Sequence, residues 1–485
     1  MTVKTPEIRV GASADKVLAA IRNPAIGLLA VAIVYGISQF LITDLRTFFG
    51  WDESVYFTEV SRFHESIGMA AHRSRGITLI VAPVALLTDS IVAVRTYLIL
   101  MSSVALLLSF GVWIRLVRWG AVIAAALFAT SWMTLFFGGQ ISPNLYSAFI
   151  VVAALGFAVR YLWMRSISSL WAYAILASAA AFIRPLDGVT LIAGAAVLSL
   201  ILGLRINRAA VLGAAGALGL VVGVVPWVIE AWFRFDGPLQ RLQRTRELVG
   251  GGLTNNFTEY LNLLDGPLVW TGTPEGVSTQ AIVWLVAAVA FALVGAFTNS
   301  RLSRRTGQGV LLMSAFLALP YSVGADVAAP RFMLPALALL CLAGGIGFAS
   351  VMNRNWGRLA LIALVVLGVV WNAPVYTALA ESHLAYGERV MALGEELRSR
   401  APGGGCFFLS PSGHPQISVA SGCQSHSFTG DPSLDNKRFQ RAEAADLQLL
   451  ALVPSNVAPQ YSGTWRCEVV EGLRAGDWRV CEHQG

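Results

Sequence analysis

Apolar runs of roughly membrane-crossing length recur along residues 26–375, and they decide what this chain can fold into. A helix needs about 20 apolar residues to cross a bilayer. Runs of that order lie at about 26–44, 91–114, 119–137, 145–163, 169–184, 188–204, 209–231, 278–298, 308–323, 332–350 and 358–375, eleven in all. A further run, 76–87, is too short to cross and reads as a second surface helix or a re-entrant one. Only 13% of the 485 residues are charged, against about 25% in soluble domains, and mean hydropathy is +0.64. The expected fold class is an α-helical polytopic membrane protein. The net charge of +7 is scattered between the apolar runs rather than gathered on one face, so nucleic acid is not an expected partner. Residues 1–25 are polar, without a cleavage-site pattern, and read as a cytoplasmic leader.

Charge placement orients these spans. With the N-terminus in the cytoplasm, the turns on that side hold Arg115 and Arg118; Arg160 and Arg165; Arg205 and Arg208; Arg301, Arg304 and Arg305; Arg354 and Arg358. None of those five turns contains an acidic residue, as the positive-inside bias requires. Had 76–87 crossed, every later turn would invert and the agreement would vanish. Eleven spans put the C-terminal segment outside. Cysteine placement leads there independently: Cys341 stands alone in an apolar run, whereas Cys406, Cys423, Cys467 and Cys481 all fall in the polar tail. Four cysteines in one polar segment suggest two disulfides and an oxidising compartment. Zinc is the alternative, although the close two-to-four-residue spacing usual in such sites is missing. The expected domains are a transmembrane one, 1–375, and an extracytoplasmic α/β one, 376–485. In the latter, Leu384 to Arg398 reads as a helix. Cys406 to Leu409, Leu447 to Val453, Trp465 to Val469 and Trp478 to Val480 read as strands.

The stretch from Gly50 to Phe63 follows the first span directly. Its carboxylates Asp52 and Glu53 stand where that span leaves the lipid, a costly position unless they are paired or functional. Helical periodicity puts Tyr56, Phe57, Val60 and Phe63 on one stripe, with Glu59 and Arg62 away from it. That pattern predicts an amphipathic helix on the membrane surface. Helix capping would account for the acidic pair equally well. The rest of the outer face is unusual for its arginines. His72, Arg73 and Arg75 share the first loop, Asn144 follows in the turn 138–144, and Arg184 stands beside Asp187. Arg234, Arg241, Arg244 and Arg246 occupy the loop 233–277, ahead of Gly250, Gly251 and Gly252; Asp326 and Arg331 precede the tenth span. Guanidinium binds phosphate in bidentate fashion, which gives arginine a reason to sit at this face. Snorkelling to lipid headgroups is the competing role for Arg184 and Arg331.

The Asp52-Glu53 pair followed by Tyr56 and Ser61-Arg62 resembles the Asp-Glu motif of the GT-C glycosyltransferases, which use polyprenyl-phosphate sugars. Protein O-mannosyltransferases and lipid A aminoarabinose transferases belong to that superfamily. The resemblance continues in order through Arg75-Gly76, Pro83, Arg95, Ser142-Pro143-Asn144, Arg184-Pro185 and Arg331-Phe332-Met333-Leu334-Pro335, over roughly residues 26–350. It implies transfer of a sugar from a polyprenyl-phosphate donor to a glycan, lipid or protein acceptor. Asp52, or its neighbour Glu53, would serve as catalytic base. Tyr56, His72, Arg73, Arg75, Asn144, Arg184, Arg241, Arg244 and Arg331 are the expected substrate-binding residues. Arg184 and Arg331 would grip the departing phosphate, and the loop 233–277 would close over both substrates. Several relatives carry a second carboxylate where this chain has Asn144, so a divalent metal is not the expected cofactor, and none is assigned. The C-terminal domain lies outside the resemblance and could help bind an extended glycan. A transporter or flippase of lipid-linked glycans is the alternative, and it would want polar groups and broken helices within the spans. A non-catalytic scaffold would leave the Asp52-Glu53 pair facing headgroups with no cavity behind it.

Overall fold

The computed structural model describes residues 23–201, 206–250, 252–266, 268, 279–297, 301–324, 327–352, 355–401, 405–410, 414–427, 440–454, 464–471 and 477–484. Its helices are α1 (Pro24–Ile42), α2 (Trp51–Thr58), α3 (Gly76–Ala85), α4 (Ile91–Gly111), α5 (Ile114–Val117), α6 (Trp119–Ala129), α7 (Trp132–Gly138), α8 (Pro143–Met164) and α9 (Ile167–Ile183). They continue with α10 (Pro185–Ile201), α11 (Ile206–Arg234), α12 (Pro238–Val249), α13 (Phe257–Asn262), α14 (Thr279–Ala296), α15 (Arg301–Val323), α16 (Leu334–Val351) and α17 (Asn355–Ser399). Each of the eleven expected runs falls largely on helix, with 202–204, 278 and 298 outside the described residues. By length and apolar composition seven of these helices can cross a membrane, eight if α6 and α7 count as one bent span. Helices α9 and α10, of 17 residues each, and the first part of α17 take up the rest. The protein is a multi-pass membrane protein.

Two expectations change. The run 119–137 is not one straight helix but a pair, α6 and α7, bent by 73° at Thr130-Ser131. The break has an identifiable cause. The Thr130 hydroxyl donates back to the Ala126 carbonyl at 2.9 Å, and Ser131 caps α7 by accepting from the Thr134 amide at 3.3 Å. From α17, Asn372 supplies the missing acceptor, its Oδ1 receiving the Trp132 amide at 2.6 Å. The second change concerns the acidic stretch, whose helix stops at Thr58 and therefore excludes Val60 and Phe63. Tyr56 and Phe57 are buried against protein, Phe57 at 4.8 Å from the Phe49 ring, and only Phe63 is exposed. The packed protein, more than the lipid, covers the apolar stripe.

Close packing at one glycine sets the neighbouring geometry. A Cβ at Gly76 would lie 2.4 Å from the Ile183 Cα, so only glycine lets the start of α3 press on the end of α9, next to Arg184.

Beyond the bundle, α17 continues without interruption from the apolar segment into the C-terminal region. There it meets α18 (Pro415–Ser421) and a mixed five-stranded sheet, β1 (Cys406–Ser410), β2 (Gln424–Ser427), β3 (Gln448–Pro454), β4 (Trp465–Glu471) and β5 (Asp477–His483), in the order β2-β1-β3-β5-β4. Strand β2, a polar run of four residues, escaped the sequence reading. Strand β1 pairs in parallel with β2 and β3, while β5 runs antiparallel to β3 and β4. Both disulfides are formed, Cys406–Cys423 and the cross-strand pair Cys467–Cys481, and Cys341 is a buried free thiol. This domain packs directly on α2, the Trp51 ring lying 5.9 Å from that of His414, and α17 holds α18 through Arg398, which donates to the Ala420 carbonyl at 2.6 Å.

Candidate active site

The two carboxylates at the start of α2 have opposite surroundings. Gly50 is the N-cap, and its amide donates to Glu53 Oε2 at 2.9 Å, so Glu53 closes the first turn of its own helix. Arg95, buried in α4, grips the same carboxylate with both terminal nitrogens, one of them at 2.9 Å, and the Ile141 amide adds a bond at 2.8 Å. Arg95 is itself filled by the carbonyls of Gly139, at 2.8 Å, and Phe48, at 3.2 Å. Burial works to raise the Glu53 carboxyl, but Arg95 outweighs it and holds the group ionised, below its ordinary range. Both oxygens of the Glu53 carboxylate are taken up by protein donors.

Asp52 faces the other way. Arg73 meets one carboxylate oxygen at 2.7 Å and Arg331 the other at 3.2 Å. The Asp52 side chain nevertheless stays 41% exposed and Arg331 22% exposed, so the ion pair is open to solvent. The enclosing protein tends to raise the Asp52 carboxyl, and the charges of Arg73 and then Arg331 bring it below the usual carboxylate range. Arg73 lies over the Tyr56 ring at 5.4 Å. Arg184 lies 5.0 Å from the Tyr321 ring and 5.1 Å from that of Phe332, next to Arg331 in the chain. Its only carboxylate neighbour among the described residues is Asp187, at 3.6 Å, and Nη1 makes no hydrogen bond. Asp187 is buried and already accepts from the hydroxyls of Ser147, at 2.6 Å, and Tyr321. One guanidinium is thus held between aromatic faces with bonding capacity to spare.

The remaining expected substrate-binding residues divide. His72 is exposed at the rim; crowding by the protein and then the Arg73 charge push its imidazole down to about 4, so it is neutral at pH 7. Asn144 is buried in the first turn of α8. Arg241, Arg75 and Arg244 do not face Asp52. Fully buried Arg241 donates to the Ala71 carbonyl at 3.0 Å, the Arg73 carbonyl at 2.8 Å and Glu230 at 3.1 Å, so it braces the segment that presents Arg73. Arg75 bridges Glu59 at 2.7 Å and Glu230 at 2.9 Å. Exposed Arg244 pairs with Asp236 at 3.1 Å. Glu230, on α11, is the hub that sequence reasoning missed; it binds three arginines, which a lone glutamate at the end of an apolar run does not announce. Asp326 lies outside the described residues. Among the described residues no group of three or more His, Cys, Asp or Glu side chains could hold a metal ion.

No protein-family model and no curated protein sequence matches the chain. Solved structures do. ArnT from Cupriavidus metallidurans bound to undecaprenyl phosphate superposes with a TM-score of 0.67 at 12% identity, over 97% of this chain and 98% of that one. The apo state of the same protein gives 0.59 at 14% identity, with the same coverage. The arabinofuranosyltransferase AftD from Mycobacteria gives 0.56 at 14% identity, over 94% of this chain and 40% of that one. The chain has the fold of these GT-C glycosyltransferases, as the Asp52-Glu53 motif led one to expect.

Proposed function

We propose that this chain is a membrane glycosyltransferase that moves a sugar from a polyprenyl-phosphate donor to an acceptor hydroxyl on the non-cytoplasmic face, with Asp52 as general base. The observation that carries the reading is the open Asp52 carboxylate shared by Arg73 and Arg331, with the under-bonded Arg184 close behind Phe332. That a structural relative binds undecaprenyl phosphate supports the donor class. Arginines on the cytoplasmic turns, against this cluster at the opposite end, support the sidedness.

The chemistry follows from charge. Donor phosphate is drawn to Arg331 and Arg184. Arg331 then shares its charge with phosphate, and Asp52 loses part of what held its carboxyl low. The carboxylate becomes a stronger base at the moment the donor is in place. Asp52 takes the proton of the acceptor hydroxyl, the acceptor oxygen bonds to the anomeric carbon, and the bond from that carbon to the phosphate oxygen breaks. The electron pair leaves on the lipid phosphate, where the arginines stabilise it. Attack opposite the leaving group inverts the anomeric centre. Glu53 has no free oxygen for this role.

The test is transfer from radiolabelled polyprenyl-phosphate sugars by the full-length protein in nanodiscs, paired with mass spectrometry of envelope glycans from cells with and without it. Asp52→Asn should lower turnover by about 10²–10⁴-fold, the usual weight of a positioned base, while inserting and melting as the parent does. Unchanged turnover would overturn the assignment. The break at Thr130-Ser131 is what favours a transporter of lipid-linked glycans as a second reading. In that case Asp52→Asn would leave lipid movement across vesicles intact.

A further inference from the structure

A second space lies on the far side of the Glu53–Arg95 pair from Asp52. It is a cavity of about 790 Å³ between α1, the α6–α7 break and α17, within the roughly 300–1,000 Å³ typical of small-molecule sites. Its wall is mostly aliphatic. Val34, Ile42 and Val369 line it and are also 61%, 42% and 52% exposed on the apolar outer surface, so it opens as a groove between α1 and α17 towards lipid. Its lining on α1 runs from Ala30 to Ile42. That is about 18 Å of helix rise, roughly the depth of one leaflet of a hydrocarbon core about 30 Å thick.

The polar end of the groove shows what kind of head it suits. Its one arginine, Arg95, has its nitrogens taken up by Glu53 and by backbone carbonyls. Two exposed carboxylates, Asp44 and Glu381, stand at the same end. Among the described lining residues, a phosphate there would meet two carboxylates and no arginine or lysine but the one already paired with Glu53. Gln140 and His383 offer uncharged hydrogen-bonding groups instead, and the buried Nε2 of His383 has no hydrogen-bond partner. His383 also touches the start of the catalytic helix, since its Cε1 would lie 3.4 Å from a Cβ on Gly50. The surroundings of Asp52 have the opposite character, with the arginines Arg73 and Arg331 on the carboxylate and Arg331 itself partly exposed.

We infer that the groove between α1 and α17 seats the hydrocarbon chain of the acceptor, making that acceptor a lipid with an uncharged, hydroxyl-bearing head rather than a soluble glycan or a protein. This rests on the proposed transfer reaction. The two substrates then approach α2 from opposite sides, the phosphate-headed donor at Asp52 and Arg331 and the hydroxyl-headed lipid past Gln140 and His383.

Two photoreactive probes test this on the full-length protein in nanodiscs: a neutral single-chain glycolipid and a polyprenyl phosphate, each with a diazirine in the chain. Mass spectrometry maps the tagged peptides. The glycolipid should tag the groove side of Pro24–Ile42 and Asn355–Ser399, and Ala373→Trp or Val34→Trp, both at exposed lining positions, should cut that tagging at least tenfold. The polyprenyl phosphate should tag elsewhere and be indifferent to both variants. The inference is overturned if the polyprenyl phosphate tags the groove as strongly as the glycolipid. It is equally overturned if glycolipid tagging there does not exceed that at lipid-facing Leu100. Failure of the transfer reading has its own signature: Asp52→Asn without effect on turnover while groove tagging persists, which removes the acceptor role but not the lipid site.

Discussion

Asp52 and Glu53 are chemically near-identical neighbours on one short helix, and the structure treats them as opposites. Glu53 is enclosed by Arg95, two backbone amides and the wall of the bundle. Asp52 has two arginines and an open side. Both carboxyls are held below their ordinary range, so the direction of the shift does not separate a structural acid from a reactive one. Access does. A base must reach a substrate proton, and of these two carboxylates only Asp52 is open to solvent. A single residue step along α2 thus assigns one side chain to architecture and leaves the other available for chemistry.

The sharpest way to break this contrast is to neutralise Glu53. Glu53→Gln leaves Arg95 buried without its counter-charge, at a cost of about 3–5 kcal/mol. The expected outcome is a large drop in melting temperature or loss of inserted protein, read by thermal melting in detergent. The double variant Glu53→Gln with Arg95→Met, which removes both charges, should recover much of that loss. If Glu53→Gln instead stays stable and loses only turnover, the roles of the two carboxylates have been reversed.

Arg331→Gln gives a smaller effect on the open side. After Arg73, Arg331 is the next charge that holds the Asp52 carboxyl low. Removing it lets that pKa rise, so at a given acidic pH less Asp52 is ionised. The acid limb of the kcat/KM profile should therefore move to higher pH, with turnover at neutral pH reduced about 10–100-fold by the lost phosphate contact. Arg331→Lys retains the charge and should keep the limb near its original place. A limb that does not move in the Gln variant would mean that Asp52 is not the group being titrated.

Much of the frame was legible because apolar length and arginine placement act locally. Among the described residues all eleven runs fall on helices, one of them split in two, and four of the five strands lie where β-rich runs between turns placed them. The Asp52-Glu53 motif and Arg331 could be found because they stand at the ends of apolar spans, where a charge is conspicuous. What could not be read depends on partners distant in the chain. The 73° break needs Asn372, 240 residues away, to satisfy the Trp132 amide. Arg241 looked like a phosphate ligand, but it is taken up by Glu230 and by backbone carbonyls, two of them about 170 residues earlier, which have no signature in side-chain type. Tyr56 and Phe57 showed an apolar stripe, but nothing in periodicity says whether lipid or protein will cover it.

The weakest of the expected effects probes how the enclosed side is built. The break between α6 and α7 is followed by the segment from Gly139 to Ile141, where the Gly139 carbonyl accepts from Arg95 and the Ile141 amide donates to Glu53. Asn372 holds the start of α7 through the Trp132 amide and is anchored in turn by its own bond to the Gly368 carbonyl at 2.6 Å. Asn372→Ala leaves that buried amide unsatisfied, which costs about 1–3 kcal/mol. Thermal melting should register a modest loss, while the pH profile of kcat/KM keeps its shape because no charge near Asp52 has changed. If Asn372→Ala moved the acid limb, the two sides of α2 would be coupled through the Glu53–Arg95 pair, and the division between a structural and a reactive carboxylate would have to be redrawn as one network.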